Sequence, residues 1–395
     1  MLRTLTHWIR GKRSCRRQAG RRPNSPTRRP RLALECLETR ELLTGTFPGF
    51  NLDSSGNLYH TTGTQPQLVD TGILDFAVVG NTVYDLHTNG VMESMNPDGS
   101  GKADWDQGVH QIGETSNGWL FTLHYGGNLY NFVPGSGNSL WDQNVQQIGV
   151  TSNGWLFTLK NGGNLYDFVP GSGNSLWDQN VQQIGVTSNG WLFTLNNGGN
   201  LYDFVPGSGN SLWDQNVQQI AETTNGWLFT LHYGGNLYCF VPGTGNSLSD
   251  HNVRSIAVDG QGELFALSVL DGSIREYGGQ GTYWYQVSSA GMADLVADGT
   301  GSVFALSTAD GSVREHIPGQ GWSWVQESST GLTDLVVDGT GTMWALGTWN
   351  GSVYEHISGQ GWSWVQESST GLTDLVVDGT GTMWALGTWN GSVYE

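Results

Sequence analysis

The chain has 395 residues, 59 of them glycine and 18 tryptophan, and charged residues make up only 13%. That charged fraction is about half the usual one and too low for a disordered chain, while so much glycine opposes helix, since each helical Gly costs about 1 kcal/mol relative to Ala. No run approaches the roughly 20 apolar residues of a membrane-spanning helix, and three cysteines cannot make a disulfide framework. A turn-rich, all-β protein remains.

Charge is divided along the chain. Residues 1–45 hold twelve of the 17 Lys+Arg and three acids, a net of +9. Residues 46–395 set Lys102, Lys160, Arg254, Arg275 and Arg314 against 32 acids, a net of −27, and the two parts together give the −18 of the whole. So acidic a body repels phosphate, which excludes nucleic acid and anionic membrane as its partners.

Residues 1–45 carry Arg16-Arg17, Arg21-Arg22 and Arg28-Arg29 among Pro, Ser and Gly, and read as a disordered basic arm that cannot bury a core. Near its end, Leu34, Leu37 and Leu42 could share one stripe of a short amphipathic helix. The segment Arg29–Leu43 resembles the R-P-R-L-x-L-E-x-L-E-x-R-x-L-L element at the N-terminus of many exported or surface proteins of one bacterial group. That resemblance implies export and an extracellular or cell-surface location. The apolar core of a standard secretory signal is absent, and the competing reading is a basic tail.

Internal repetition governs everything after residue 45. Val109, Val145, Val181, Val217 and Val253 open units spaced by 36, and Asp298, Asp338 and Asp378 mark a later spacing of 40. The unit at 145 divides into β-type runs Val145–Val150, Trp155–Leu159, Asn164–Val169 and Ser175–Asp178, separated by Asn-Gly and Gly-Gly turn chemistry. Four short strands and four turns fill the period, as in an antiparallel meander. Apolar residues lie on both faces of each meander, so each must be sandwiched between copies of itself. The expected fold is therefore a β-propeller of four-stranded antiparallel blades of 36–40 residues, about ten units, with ring size open and a parallel β-solenoid as runner-up.

The expected domains are the arm at 1–45, the 36-residue series at 46–251 and the 40-residue series at 252–395. Residues 47–70 look like strands two to four of a blade and 372–395 like strands one to three. The end at Glu395 in mid-repeat leaves a fragment and closure with the N-terminal strands equally open. The stretch Gly321–Glu355, with Gly-Thr-Met-Trp-Ala-Leu and Gly-Ser-Val-Tyr, resembles a tectonin-type blade, and Leu335–Gly351 is similar to the extracytoplasmic sensor propellers. Tectonin-type propellers include lectins, so the resemblance implies glycan binding without placing a site.

Candidate chemistry is sparse. Asp142, Asp178, Asp214 and Asp250 recur at equivalent positions and read as structural hydrogen-bonding residues, while His110, Cys239, Arg254, Arg275 and Arg314 do not repeat and form no catalytic motif. A paired-carboxylate enzyme should show two acids unique to one blade, and no such pair is evident in the sequence. Asp259–Glu263 and Asp338–Thr342 offer too few carboxylates for a calcium loop and read as turns, and Asn350-Gly-Ser352 and Asn390-Gly-Ser392 read as turns more simply than as glycosylation sites. No catalytic, cofactor or metal residue is therefore expected. Trp119, Trp155, Trp191 and Trp227 are expected in the core. Trp322, Trp324, Trp362 and Trp364 fall in the outermost run and Trp349 and Trp389 before an Asn-Gly turn, beside Asn, Gln, Ser and Glu. Those six are the candidate ligand-binding residues, because an indole stacks on a sugar ring while amides bind hydroxyls. The function expected is a non-enzymatic exported or surface module binding glycan or protein; a propeller lyase or glycosidase and a purely structural surface repeat are the alternatives.

Overall fold

A computed structural model describes residues 49–394 apart from short stretches, the longest being 317–324 and 357–364. The basic arm lies outside the described residues. The rest is an all-β chain of β-propeller blades. Ten antiparallel sheets follow one another in chain order, eight four-stranded and the first and last three-stranded among the described residues, and within each sheet strand order follows the sequence. Blade 1 spans Phe50–Thr71, blade 2 Ile73–Gln107, blade 3 Val109–Asp142, blade 4 Val145–Asp178 and blade 5 Val181–Gln215. Blade 6 spans Val217–Asp250, blade 7 Val253–Gln286, blade 8 Met292–Gln326, blade 9 Leu332–Gln366 and blade 10 Leu372–Tyr394. Among the described residues no helix is long and apolar enough to cross a membrane.

Each blade follows the turn chemistry. In blade 4 the strands are Val145–Val150, Leu156–Lys160, Leu165–Val169 and Gly173–Asp178, within two residues of the boundaries expected. The corner that leads from strand 4 to strand 1 of the next blade places Asn144, Asn180, Asn216 and Asn252 at φ of 57–61°, a left-handed conformation that Asn tolerates better than other side-chain-bearing residues. Gly154, at φ 73°, is needed for a second reason. A Cβ there would collide with Ser116 of the preceding blade, whose N–H lies 3.4 Å from the Gly154 carbonyl.

Blades are joined by an aromatic plug. Phe204 on strand 3 of blade 5 is received by three rings of blade 4: Trp155 stacks at 5.6 Å, while Phe157 at 5.7 Å and Trp177 at 4.9 Å meet it at an angle. Phe168 and Phe240 repeat the arrangement one blade either side. Trp119, Trp155, Trp191 and Trp227 are thus half-buried members of the interblade core. In the 40-residue series the plug becomes Tyr277, His316 and His356, which pack on Phe229, Phe265 and Phe304.

A second device serves the inner edge. Strand 1 of each blade lies beside strand 1 of the next, too far from it to share a backbone ladder, so its edge amides need other partners. Gln111 supplies both: its Nε2 donates to the Ile148 carbonyl at 2.8 Å, and its Oε1 accepts the Ile148 N–H at 3.0 Å. Gln147 clamps Ile184, Gln183 clamps Ile220 and Gln219 clamps Ile256 in the same way. From blade 7 the position holds Ser255, Asp294, Asp334 and Asp374. Asp334 accepts the Leu375 N–H at 3.4 Å, but a carboxylate cannot donate to the neighbouring carbonyl. Burial first, and the like charges of Asp294 and Asp374 next, push Asp334 up to about 6.

Two outcomes follow from these devices. Gln183→Ala leaves the Ile220 N–H and carbonyl without their partner and should cost about 1–3 kcal/mol, whereas Phe204→Ala empties the plug and should cost about 3–5 kcal/mol. Urea denaturation followed by tryptophan fluorescence orders the two. For Asp334, the folded carboxyl holds its proton more tightly than the unfolded one, so its contribution is complete below about pH 4 and lost as pH rises through about 6. Asp334→Asn should flatten that part of the profile, with the variant gaining on the native protein at neutral pH; a melting-temperature difference that does not vary with pH between about 4 and about 7 contradicts this assignment.

Candidate functional site

A polar pair recurs at the outer side of the interblade space. The last strand of one blade ends in Asp, and strand 2 of the next ends in a base. Asp106 meets His124 at 3.0 Å, Asp142 meets Lys160 at 2.6 Å and Asp214 meets His232 at 3.0 Å. Asp250 meets Arg275, on strand 3 of blade 7, at 2.8 Å. Burial alone would raise Asp106, but the hydrogen bonds from His124 and the Gln107 N–H outweigh it and hold its carboxyl below the usual value. Asp142, Asp214 and Asp250 thus pair across blades, while Asp178 accepts the N–H of its neighbour Gln179.

Between blades 1 and 2 the same position has become something else. Asp70 ends blade 1 and faces His87 of blade 2 at 3.7 Å, and Lys102 reaches Asp70 Oδ2 at 2.5 Å. His87 also lies 3.6 Å from Glu93. The fourth member is Asp85. One ligand atom from each of Asp70, Asp85, His87 and Glu93 falls within 4.8 Å of all the others.

Strand register shows how unusual these residues are. Asp85 pairs with Phe76 as Thr122 pairs with Ile112, and Glu93 pairs with Asp85 as Tyr130 pairs with Thr122. Blades 3 to 6 carry Thr122, Thr158, Thr194 and Thr230 at the first position and Tyr130, Tyr166, Tyr202 and Tyr238 at the second. One position further out, Asp104 stands opposite Glu93 where Leu140 stands opposite Tyr130. A Thr–Tyr–Leu row has become Asp85–Glu93–Asp104. The expectation that no blade has a private pair of acids is therefore corrected: Asp85 and Glu93 are such a pair.

Asp85 is 0% exposed, and neither of its carboxylate oxygens has a hydrogen-bond donor within the fold. Burial first, then the adjoining Asp70 and Glu93, push it up to about 8, while Lys102 and the Thr71 N–H offset burial at Asp70 and hold that carboxyl low. Two carboxyls so unlike in proton affinity resemble an acid–base pair. The complete burial of Asp85 nevertheless leaves a substrate no approach to it, so the arrangement suits a small ion.

The six tryptophans expected to bind ligand (Trp322, Trp324, Trp349, Trp362, Trp364 and Trp389) lie outside the described residues, as do residues 338–341. Trp284, forty residues before Trp324, is described and packs on Tyr277 at 5.3 Å. Leu270, which follows strand 2 of blade 7 as Trp349 follows strand 2 of blade 9, is exposed. Asp259 closes a turn on Glu263, accepting its N–H at 2.8 Å. Cys239 is buried and its thiol is pushed up to about 12, which makes it unreactive. His110 stacks on Tyr125 at 5.3 Å, and burial lowers it to about 4.

A second surface repeats. Strand 4 of blades 3 to 6 opens with Gly-Asn-Ser-Leu, and Leu140, Leu176, Leu212 and Leu248 are each 49–50% exposed beside Tyr130, Tyr166, Tyr202 and Tyr238 on strand 3.

The fold and this geometry define a protein of repeated propeller blades with, among the described residues, one blade-specific acidic cluster. The family of the outer membrane protein assembly factor BamB matches residues 125–278, less than half of the chain, and that stretch resembles its repeats. No curated protein matches the chain. Among solved structures, the chain resembles an extracellular domain from B. thetaiotaomicron at 13% identity and TM-score 0.30, covering 86% of this chain and 62% of that one. It resembles PorZ, a surface component of the type-IX secretion system of Porphyromonas gingivalis, at 15% identity and TM-score 0.35, with coverage of 87% and 56%. Virginiamycin B lyase from Staphylococcus aureus is similar at 10% identity and TM-score 0.36, with coverage of 59% and 90%. The chain thus spans less than two thirds of the first two, and no activity passes from any of them to it.

Proposed function

We propose that the chain is a non-enzymatic binding module, exported or held at the cell surface, that presents repeated outer strands to a repetitive glycan or protein. The observation that carries this reading is the row Leu140, Leu176, Leu212 and Leu248, one half-exposed leucine per blade in the same Asn-Ser setting. Buried at the core of a blade, a leucine would be structural; half-exposed at the same place in four consecutive blades, it offers four copies of one weak contact. Linked weak sites multiply into avidity of about 10²–10⁴ over a single one. The amide-rich flanks and the net −27 of residues 46–395 favour a neutral or cationic partner over a phosphate- or sulfate-rich one. The export-type element at Arg29–Leu43 and the BamB-like repeat favour the cell envelope. The non-enzymatic reading is favoured by the closed setting of Asp85 and Asp70.

A glycan array probed with residues 46–395 tests the glycan form. Replacing Leu176 with Ser should weaken retention on a multivalent glycan slightly, and replacing all four leucines should abolish it, at an unchanged melting temperature. A stable fourfold variant with the native glycan profile removes the row from the site. An array on which the native protein retains nothing removes glycan and leaves a protein partner.

A further inference from the structure

We propose that Asp70, Asp85, His87 and Glu93 bind a divalent first-row transition-metal cation, with Mn²⁺ favoured, between blades 1 and 2. Three observations converge. First, the four candidate ligand atoms already lie within 4.8 Å of one another, although they come from the last strand of one blade and strands 2 and 3 of the next. Second, Asp85 is fully buried, no amide, hydroxyl or ammonium of the fold donates to its oxygens, its one side-chain partner is the Asp70 carboxyl within the cluster, and the His87 Nε2 has no hydrogen-bond partner. Buried polar groups are ordinarily satisfied; the sister blades carry a neutral threonine at the same position, and Thr158, Thr194 and Thr230 leave only an uncharged hydroxyl unpaired there, whereas Asp85 buries a carboxyl. Third, Asp85, Glu93 and Asp104 stand directly opposite one another on adjacent strands, an arrangement of like charges that destabilises a sheet unless a cation compensates it. Lys102 supplies one positive charge through Asp70, which leaves the acids in excess.

The donor set indicates the class of ion. Magnesium and calcium take oxygen shells, whereas an imidazole nitrogen among carboxylates points to the transition series. The His87 Nε2 lies 3.7 Å from the Asp70 and 3.6 Å from the Glu93 oxygen, separations slightly wider than the ~3.4 Å edge of a tetrahedral zinc shell. A six-coordinate ion with water in its remaining positions accommodates them, and manganese accepts carboxylate-rich shells. Lys102 is 36% exposed on a flexible stem, so its ammonium can move to solvent and release the Asp70 oxygen.

The sister blades provide the control variant. Asp85→Thr with Glu93→Tyr installs the residues that blades 3 to 6 carry in the same register, so the fold has already accepted them four times over. Calorimetric titration of the full chain with MnCl₂, paired with thermal melts, should show one site and a raised melting temperature for the native protein. The double variant should show neither, and its far-UV circular dichroism should match. CaCl₂ should bind the native protein more weakly than MnCl₂. The proposal is overturned if millimolar MnCl₂ neither binds nor stabilises the native protein, if the folded double variant binds as the native protein does, or if CaCl₂ binds as tightly. Glu93→Tyr alone is the second variant should the double one not fold; undiminished binding in it is equally adverse.

Discussion

The interface between one blade and the next is the constraint on which the rest of this structure depends. A four-stranded meander of about 36 residues buries too little by itself and is apolar on both faces. Phe157, Leu159 and Leu165 of blade 4 are buried only because Val181, Ile184, Leu192 and Phe204 of blade 5 cover them. Stability in such an array is a sum of nearest-neighbour terms. Any solution that works for one interface can then be copied to the next, and the Gln183–Ile220 clamp and the Phe204 plug are such copied solutions.

The two repeat series show which part of the interface tolerates change. The plug is kept as an aromatic or imidazole ring from Phe168 to His356, and where blade 2 meets blade 1 the same position holds the buried Met95. The clamp is not kept. Asp294 and Asp334 retain the acceptor half of the glutamine and give up the donor half, and burial then drives both carboxyls upward. A bulky plug is a requirement of packing density, whereas an edge amide can be met by several side chains at moderate cost.

Much of this was legible from composition and spacing, since Asn-Gly and Gly-Gly turns locate hairpins through local backbone chemistry alone. The strands of blade 4 and the core role of Trp155 were readable for that reason. The private acids of blade 2 were not, and the cause is geometric. In blade 3 strand 1 and strand 2 are registered by Val109 and His124, and in blade 2 by Ile73 and His87, one residue closer. The tight turn after Val79 removes that residue, so a fixed offset of 36 sets Asp85 against Phe121 and hides its equivalence to Thr122. Counting from the paired strand ends, instead of along the period, would have revealed it. The clamp was visible as the repeated Val-Gln-Gln-Ile, yet nothing local says that a glutamine side chain will reach the next blade.

The place of the acidic cluster follows from the same interface logic. Blade 1 shows three strands among the described residues, matching strands 2 to 4 of the others. Wherever strand 1 is present in blades 3 to 6, it sends a glutamine to the next blade. Blade 1 has no described strand in that position, and among the described residues no glutamine clamp reaches blade 2. What joins these two blades is the cluster of Leu52, Leu58, Ile73, Phe76 and Val83, together with the polar group around Asp70. A cation shared between Asp70 of blade 1 and three residues of blade 2 joins two blades by coordination, as the glutamines of blades 3 to 6 join theirs to the next by hydrogen bonds.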